Sequence, residues 1–194
     1  GLGVEQNFNK AREYFELSAK HNNSDAFLSL GILYFKGKGV DKNYSKAKKY
    51  CESSAKQNNS DALLMLGYFY ANGFGVEKNF LKAKEYYELS AKQNNSDALT
   101  NLGILYLFGQ GVKQNYYQAK QYFEKAAQFN NKNALYFLGI QYHNGIGVEL
   151  NFSKSIEYLE LASNFQNYDA CFLLGIIYTN FQNYKKAIEY LEKF

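Results

Sequence analysis

Apolar residues recur along this chain with a helical beat, and the beat is itself repeated. Ala26, Phe27, Leu30, Gly31 and Tyr34 fall at the i, i+3, i+4, i+7 spacing of a helix with one buried stripe, which predicts a first helix, A. After Gly37-Lys38-Gly39-Val40, the set Tyr44, Ala47, Tyr50, Cys51 and Ser54-Ala55 has the same spacing and predicts a second helix, B. Its counterparts one unit on are Phe80, Ala83, Tyr86, Tyr87 and Ser90-Ala91. Helix B runs out in Asn58-Asn59, where Asn suits the left-handed C-terminal cap, and the next helix A opens on Ser60-Asp61, either of which suits an N-cap. Helix, tight turn, helix, tight turn is the expected order.

The unit length is 36 residues. Gly-x-Gly-Val begins at Gly1, Gly37, Gly73, Gly109 and Gly145, and a Leu-Gly pair three residues short of a Tyr recurs with the same period. That pair is Leu30-Gly31, Leu66-Gly67, Leu102-Gly103, Leu138-Gly139 and Leu174-Gly175. Small residues at Gly31 and Ala47 let the two helices of a hairpin approach closely, and aromatic side chains fill the layers between hairpins. One hairpin cannot bury its own face, so stability must come from stacking. Residues 1–194 therefore read as a single all-α solenoid domain: an incomplete repeat over 1–24, full repeats over 25–60, 61–96, 97–132 and 133–168, and a shorter one over 169–194.

Composition changes this picture little. A charged fraction of 21% with 46% hydrophobic residues suits a globular chain. The net charge of +4 reads as spread along the length, with segments such as Lys82-Ala83-Lys84-Glu85, and gives no basic patch for nucleic acid. No apolar run approaches the ~18 residues of a membrane span. Gly1-Leu2-Gly3-Val4 is neither an initiator Met nor a signal peptide, and the last helix B is still running at Phe194, so further repeats or another domain are expected beyond at least one end. The skew toward Asn, Lys, Tyr and Phe suggests no mechanism, and the lack of a disulfide framework favours the cytoplasm.

Ala-x-x-x-Leu-Gly-x-x-Tyr, then Gly-x-Gly-Val, then Lys-Ala, as in Ala62 to Gly67, Tyr70, Gly73 to Val76 and Lys82-Ala83, resembles the Sel-one-like repeat of the tetratricopeptide superfamily. The resemblance implies a right-handed α-α superhelix whose A helices line a concave, ligand-binding face, and an adaptor role in protein complexes. Asn22, Asn58, Asn94 and Asn130 stand where that family commonly has Gly, and the last unit lacks the tetrad and is four residues shorter, like an ordinary tetratricopeptide hairpin.

Residues that could carry chemistry read mostly as structure. The glycine tetrads lack the third Gly of a dinucleotide fingerprint and the Gly-Lys-Ser/Thr of a phosphate loop, and no strand precedes them, so they are turns. Cys51 and Cys171 occupy positions held elsewhere by Phe or Leu. The regularly spaced Cys pairs of the family's cysteine-rich branch, which has been linked to β-lactam binding, are missing, which weakens a hydrolase or small-molecule reading. His21 and His143 share no metal-type spacing with Cys, Asp or Glu. No catalytic residue, metal site or cofactor is expected. Ten of the 19 tyrosines belong to the two helical series and are expected in the core, and five Asn-x-Ser sequons, at Asn22, Asn43, Asn58, Asn94 and Asn151, read as products of an Asn-rich repeat.

If the A helices line a groove, its residues are those three before and one, four and five after the helical Gly. From these the candidate ligand contacts are Phe35, Lys36, Tyr68, Asn72, Thr100, Phe108, Tyr136, His143, Asn144 and Phe172. The set is apolar and aromatic, which suits a helix or extended peptide with apolar anchors. With Lys36 its one firm cation, it does not suit a carboxylate clamp. The expected function is a non-catalytic protein-interaction scaffold, with end-to-end self-stacking as the alternative.

Overall fold

The computed structural model describes residues 7–193, and among these it holds eleven α-helices and no strand. The chain resolves into two compact units, residues 1–95 and 96–194. The first contains α1 (Phe8–Lys20), α2 (Ser24–Lys36), α3 (Tyr44–Ala55), α4 (Ser60–Asn72) and α5 (Phe80–Ala91). Here α2/α3 and α4/α5 form hairpins, α1 packs on α2, and α3 packs on α4. The second contains α6 (Ser96–Phe108), α7 (Tyr116–Ala127), α8 (Lys132–Asn144), α9 (Phe152–Asn164), α10 (Tyr168–Asn180) and α11 (Tyr184–Leu191). Its hairpins are α6/α7, α8/α9 and α10/α11, joined through α7 on α8 and α9 on α10. The even-numbered helices are the A helices of the repeat; the Gly1–Val4 copy of the tetrad and Phe194 lie outside the described residues.

The close approach expected at the helical glycines is present in each hairpin. A Cβ on Gly31 would stand 2.7 Å from Cys51 Sγ, one on Gly139 would stand 2.6 Å from Leu159 Cγ, and one on Gly67 would overlap the Tyr87 ring. Ala47, Ala83 and Ala119 are fully buried. Each loop then closes with the backbone N–H of the B-helix cap donating to the A-helix Tyr carbonyl, as from Asn43 to Tyr34 (2.9 Å) and from Asn151 to Tyr142 (2.9 Å). The tetrad is more than a turn: Gly75, at φ 66°, brings its Cα against the start of the preceding B helix, where a side chain would meet Tyr44 Cβ at 2.9 Å.

The asparagines do most of the capping. Asn22, Asn58, Asn94 and Asn130 have φ of 56 to 61°, as their position after helix B predicts, and Gln166 and Gln182 do the same at 60° and 57°. The N-caps differ from expectation. Ser60 is already helical, and Asn59 is the cap, its Oδ1 accepting from Asp61 N (3.1 Å) and Ala62 N (3.0 Å). Asn offers an acceptor to the helix while keeping an amide N–H₂ to donate, which Ser and Asp lack. That second function is used between repeats: Asn59 Nδ2 donates to Asp25 Oδ1 (2.9 Å), Asn95 to Asp61 (2.8 Å) and Asn131 to Asp97 (2.7 Å). Ser54 and Ser90 extend the ladder, donating to the carbonyls of Ser24 (2.8 Å) and Ser60 (2.7 Å). The starts of successive A helices within each unit are thereby tied side by side.

The tyrosine series departs from a simple core. Each hairpin stacks its A-helix Tyr on its B-helix Tyr at a ring separation of 5.6 to 5.8 Å: Tyr34/Tyr50 and Tyr70/Tyr86 in the first unit, Tyr106/Tyr122, Tyr142/Tyr158 and Tyr178/Tyr190 in the second. Most of these rings are half-buried, because the phenol must keep its hydroxyl near water while the ring packs. Tyr14, 70% exposed, has no such partner ring among the described residues. Burial first, and the partner phenol second, push the Tyr50, Tyr86 and Tyr158 hydroxyls above their ordinary value of 10.

Candidate functional site

In the first unit, the A-helix face is committed to an aromatic cluster. Phe35 packs on Tyr44 (5.5 Å), Phe69 (5.6 Å), Phe74 (5.6 Å) and Tyr68 (6.0 Å), with Phe74 supplied by the glycine tetrad. Phe35 is therefore packing material, and Tyr68 is the member of the cluster that reaches the surface. Lys36 is exposed, and Asn72 turns back to donate to the Tyr68 carbonyl at 2.9 Å.

The second unit has a barer face. α6, α8 and α10 start side by side, joined by Asn131 to Asp97 and by Asn167 Nδ2 to Asn133 Oδ1 (3.1 Å). On them Phe108 is 58% exposed, Phe172 47% and Ile176 41%. Tyr136 is half-buried against Phe137 and the core around Leu135 and Leu174, and burial, then Asp169, raises its hydroxyl above the usual 10. Asn144 is exposed and donates to the Ile140 carbonyl (3.2 Å). His143 stands edge-on to Phe152 at 5.4 Å, in the position that Phe35 fills in the first unit, and its buried Nδ1 has no hydrogen-bond partner. Thr100 is a correction: only 4% exposed, it donates its hydroxyl to the Ser96 carbonyl (2.8 Å) and has no surface to offer a ligand.

A family model for the Sel1 repeat matches residues 1–23, 25–59, 60–95, 96–128, 132–164 and 169–194. The chain belongs to the Sel1 repeat family. Sel1 repeats generally serve as protein-interaction modules. A Sel1 repeat protein from Oxalobacter formigenes shares 30% identity and superposes with a TM-score of 0.91 over 98% of this chain and 80% of its own. A protective antigen of uropathogenic Escherichia coli with the SLR fold shares 27%, at a TM-score of 0.81 over 98% of this chain and 42% of that one. Cysteine-rich protein B of Helicobacter pylori shares 27%, at 0.55 over 71% of this chain and 99% of that one. No curated protein matches the sequence.

The two cysteines of this Sel1 protein are free and buried, and burial, followed by Glu52, pushes the Cys51 thiol up to about 12, so it is neutral at ordinary pH. Among the described residues no three His, Cys, Asp or Glu are grouped to hold a metal ion, and no helix is long and apolar enough to cross a membrane.

Gln141 is the largest of the buried polar side chains that the sequence pattern does not reveal. Gln141 takes the α8 position held by Leu33, Phe69, Leu105 and Ile177 in other repeats, and it is fully buried. Its Nε2 donates to the Tyr116 carbonyl (3.2 Å), but Oε1 has no partner. An unsatisfied buried acceptor costs about 1–3 kcal/mol. Gln141→Leu is therefore expected to stabilise the protein by about 1 kcal/mol, read as a higher urea midpoint at unchanged slope; a lower midpoint would show that Oε1 is satisfied.

Proposed function

We propose that this Sel1 repeat protein is a non-catalytic scaffold that holds a partner peptide or helix against the A-helix face of residues 96–194. The observation that carries the proposal is the set of solvent-exposed apolar side chains on adjacent A helices there, Phe108, Phe172 and Ile176, with Tyr136 between their helices. Large aromatics on a rigid backbone are the side chains that dominate interface energies. The one histidine on this face, His143, has the Phe152 ring as its neighbour, and its Nδ1 neither accepts nor donates a hydrogen bond among the described residues. Capture of a partner from the protein's own cells, repeated with Phe108→Ala and Tyr136→Ala, tests the reading. Each substitution is expected to weaken the complex about tenfold or more; a partner retained at full affinity by both variants would place the interaction elsewhere.

A second reading, self-stacking, draws on α1. Tyr14 and Leu17 are exposed, and Tyr14 sits where every complete hairpin has a stacked tyrosine pair. Mass that rises with protein concentration, and falls back in Tyr14→Lys, would favour this reading over the first.

A further inference from the structure

The positive charge of the chain is not spread evenly, contrary to its reading along the sequence. Residues 1–95 carry 14 Lys and Arg against 10 Asp and Glu, and residues 96–194 carry 8 against 8, so the whole surplus of 4 lies in the first unit. It is placed there by register. Three positions running from each glycine tetrad into helix B read Lys38, Lys42, Lys46 in one repeat and Phe74, Lys78, Lys82 in the next. In the second unit the same positions read Gln110, Gln114, Gln118 and then Ile146, Leu150, Lys154.

The five lysines of the first unit are exposed, and each ammonium lies over an aromatic ring: Lys38 over Phe8 (5.0 Å), Lys42 over Tyr44 (5.0 Å), Lys46 over Tyr34 (5.2 Å), Lys78 over Phe80 (4.6 Å) and Lys82 over Tyr70 (5.3 Å). A ring steadies a cation without neutralising it. Among the described residues none of the five lies within ion-pair distance of a carboxylate, unlike Lys48 with Glu52 (3.2 Å) and Lys84 with Glu88 (2.8 Å) on the same helices.

A polar notch of about 670 Å³ opens beside them, lined by Arg12 from α1, Tyr34 from α2, the loop through Asp41 and Asn43, and Lys46 from α3. Arg12 Nε is buried there without a hydrogen bond, in an ion pair with Glu16 at 3.6 Å. The counterpart notch three repeats on is about 320 Å³; of its two lysines, Lys120 at the Arg12 position is hydrogen-bonded to Glu124, and Lys154 stands at the Lys46 position.

We propose that the loop edge of the first unit binds an extended acidic segment of a partner protein, with one carboxylate entering the notch between Arg12 and Lys46. Lys46 and Lys82 lie on α3 and α5, the B helices of successive repeats, and an extended chain advances about 3.3 Å per residue. Acidic side chains recurring along such a segment therefore come within reach of Lys46 and Lys82 in turn. Nucleic acid fits less well. Each ring already carries a lysine ammonium on one face, which leaves fewer open faces for bases than a stacking platform offers.

The test uses the full chain and a fluorescein-labelled 15-residue peptide of Glu-Ser-Gly repeats, followed by anisotropy in 50 mM salt. Saturable binding is expected, lost when Gln replaces Glu. Lys46→Gln with Lys82→Gln should weaken it about tenfold, whereas Lys154→Gln in the second unit should leave it unchanged; circular dichroism melts confirm that the variants stay folded. No binding, equal binding by the doubly substituted variant, or tighter binding of a single-stranded oligonucleotide of equal charge would each overturn the proposal.

Discussion

Gly67→Val is expected to cost about 3 kcal/mol, among the largest losses available from a single substitution in the first unit. Gly67 lies mid-helix in α4, where glycine by itself is a liability of about 1 kcal/mol relative to Ala. The liability is tolerated because a Cβ there would overlap the ring of Tyr87, which is fully buried in α5 and has no space to retreat into. Valine adds two further methyl groups to that overlap, and the helices must separate along the hairpin. The readout is the urea midpoint of the variant. Tyr87→Ala, which removes the opposing ring, should lose about 3–5 kcal/mol alone. Combined with Gly67→Val it should lose less than the two single losses added, since the valine then occupies the space the ring leaves. Strict additivity would mean that the two helices are not in the tight contact described.

This glycine also shows how much of the molecule was legible in the sequence. Glycine at 36-residue intervals, always one after Leu and three before Tyr, has no helical rationale except close approach, so the hairpin and its partner helix follow from spacing alone. The same holds for the left-handed turn at Asn58, since few side chains but Asn tolerate that conformation. The surface was harder to read. Phe35 and Phe108 look alike in a helical pattern, yet Phe35 is enclosed because Phe74 happens to arrive from the next glycine tetrad, whereas Phe108 stays open. Thr100 and Gln141 were missed or misplaced for a related reason: periodicity gives the face of a residue, while its depth depends on neighbouring repeats. The lysine edge was visible as a register of three positions, but only a comparison between halves of the chain, position by position, separates it from an even scatter of charge.

Asn131→Ala should cost about 3 kcal/mol in the second unit, and its companion Asn131→Asp should divide that loss into parts. The side chain has two functions. Its Oδ1 accepts from Asn133 N (3.1 Å) and Ala134 N (3.1 Å) at the start of α8, a cap worth about 1 kcal/mol. Its Nδ2 donates to Asp97 Oδ1 at 2.7 Å and to Ser96 Oγ at 3.2 Å, and a hydrogen bond to a charged acceptor is worth about 1.5–3 kcal/mol. Alanine removes both and leaves the Asn133 and Ala134 N–H groups at the start of α8 without their acceptor. Aspartate keeps the cap, and by its charge favours the helix N-terminus, but it sets one carboxylate against another where a donor stood. If the inter-repeat bond is the larger part, Asn131→Asp should be no more stable than Asn131→Ala at neutral pH. It should recover at acid pH, where a protonated carboxyl at either position restores a donor between them. If instead Asn131→Asp matches the unsubstituted chain at neutral pH, the asparagine is a cap alone, and the ladder joining the A helices contributes nothing to holding the repeats in register.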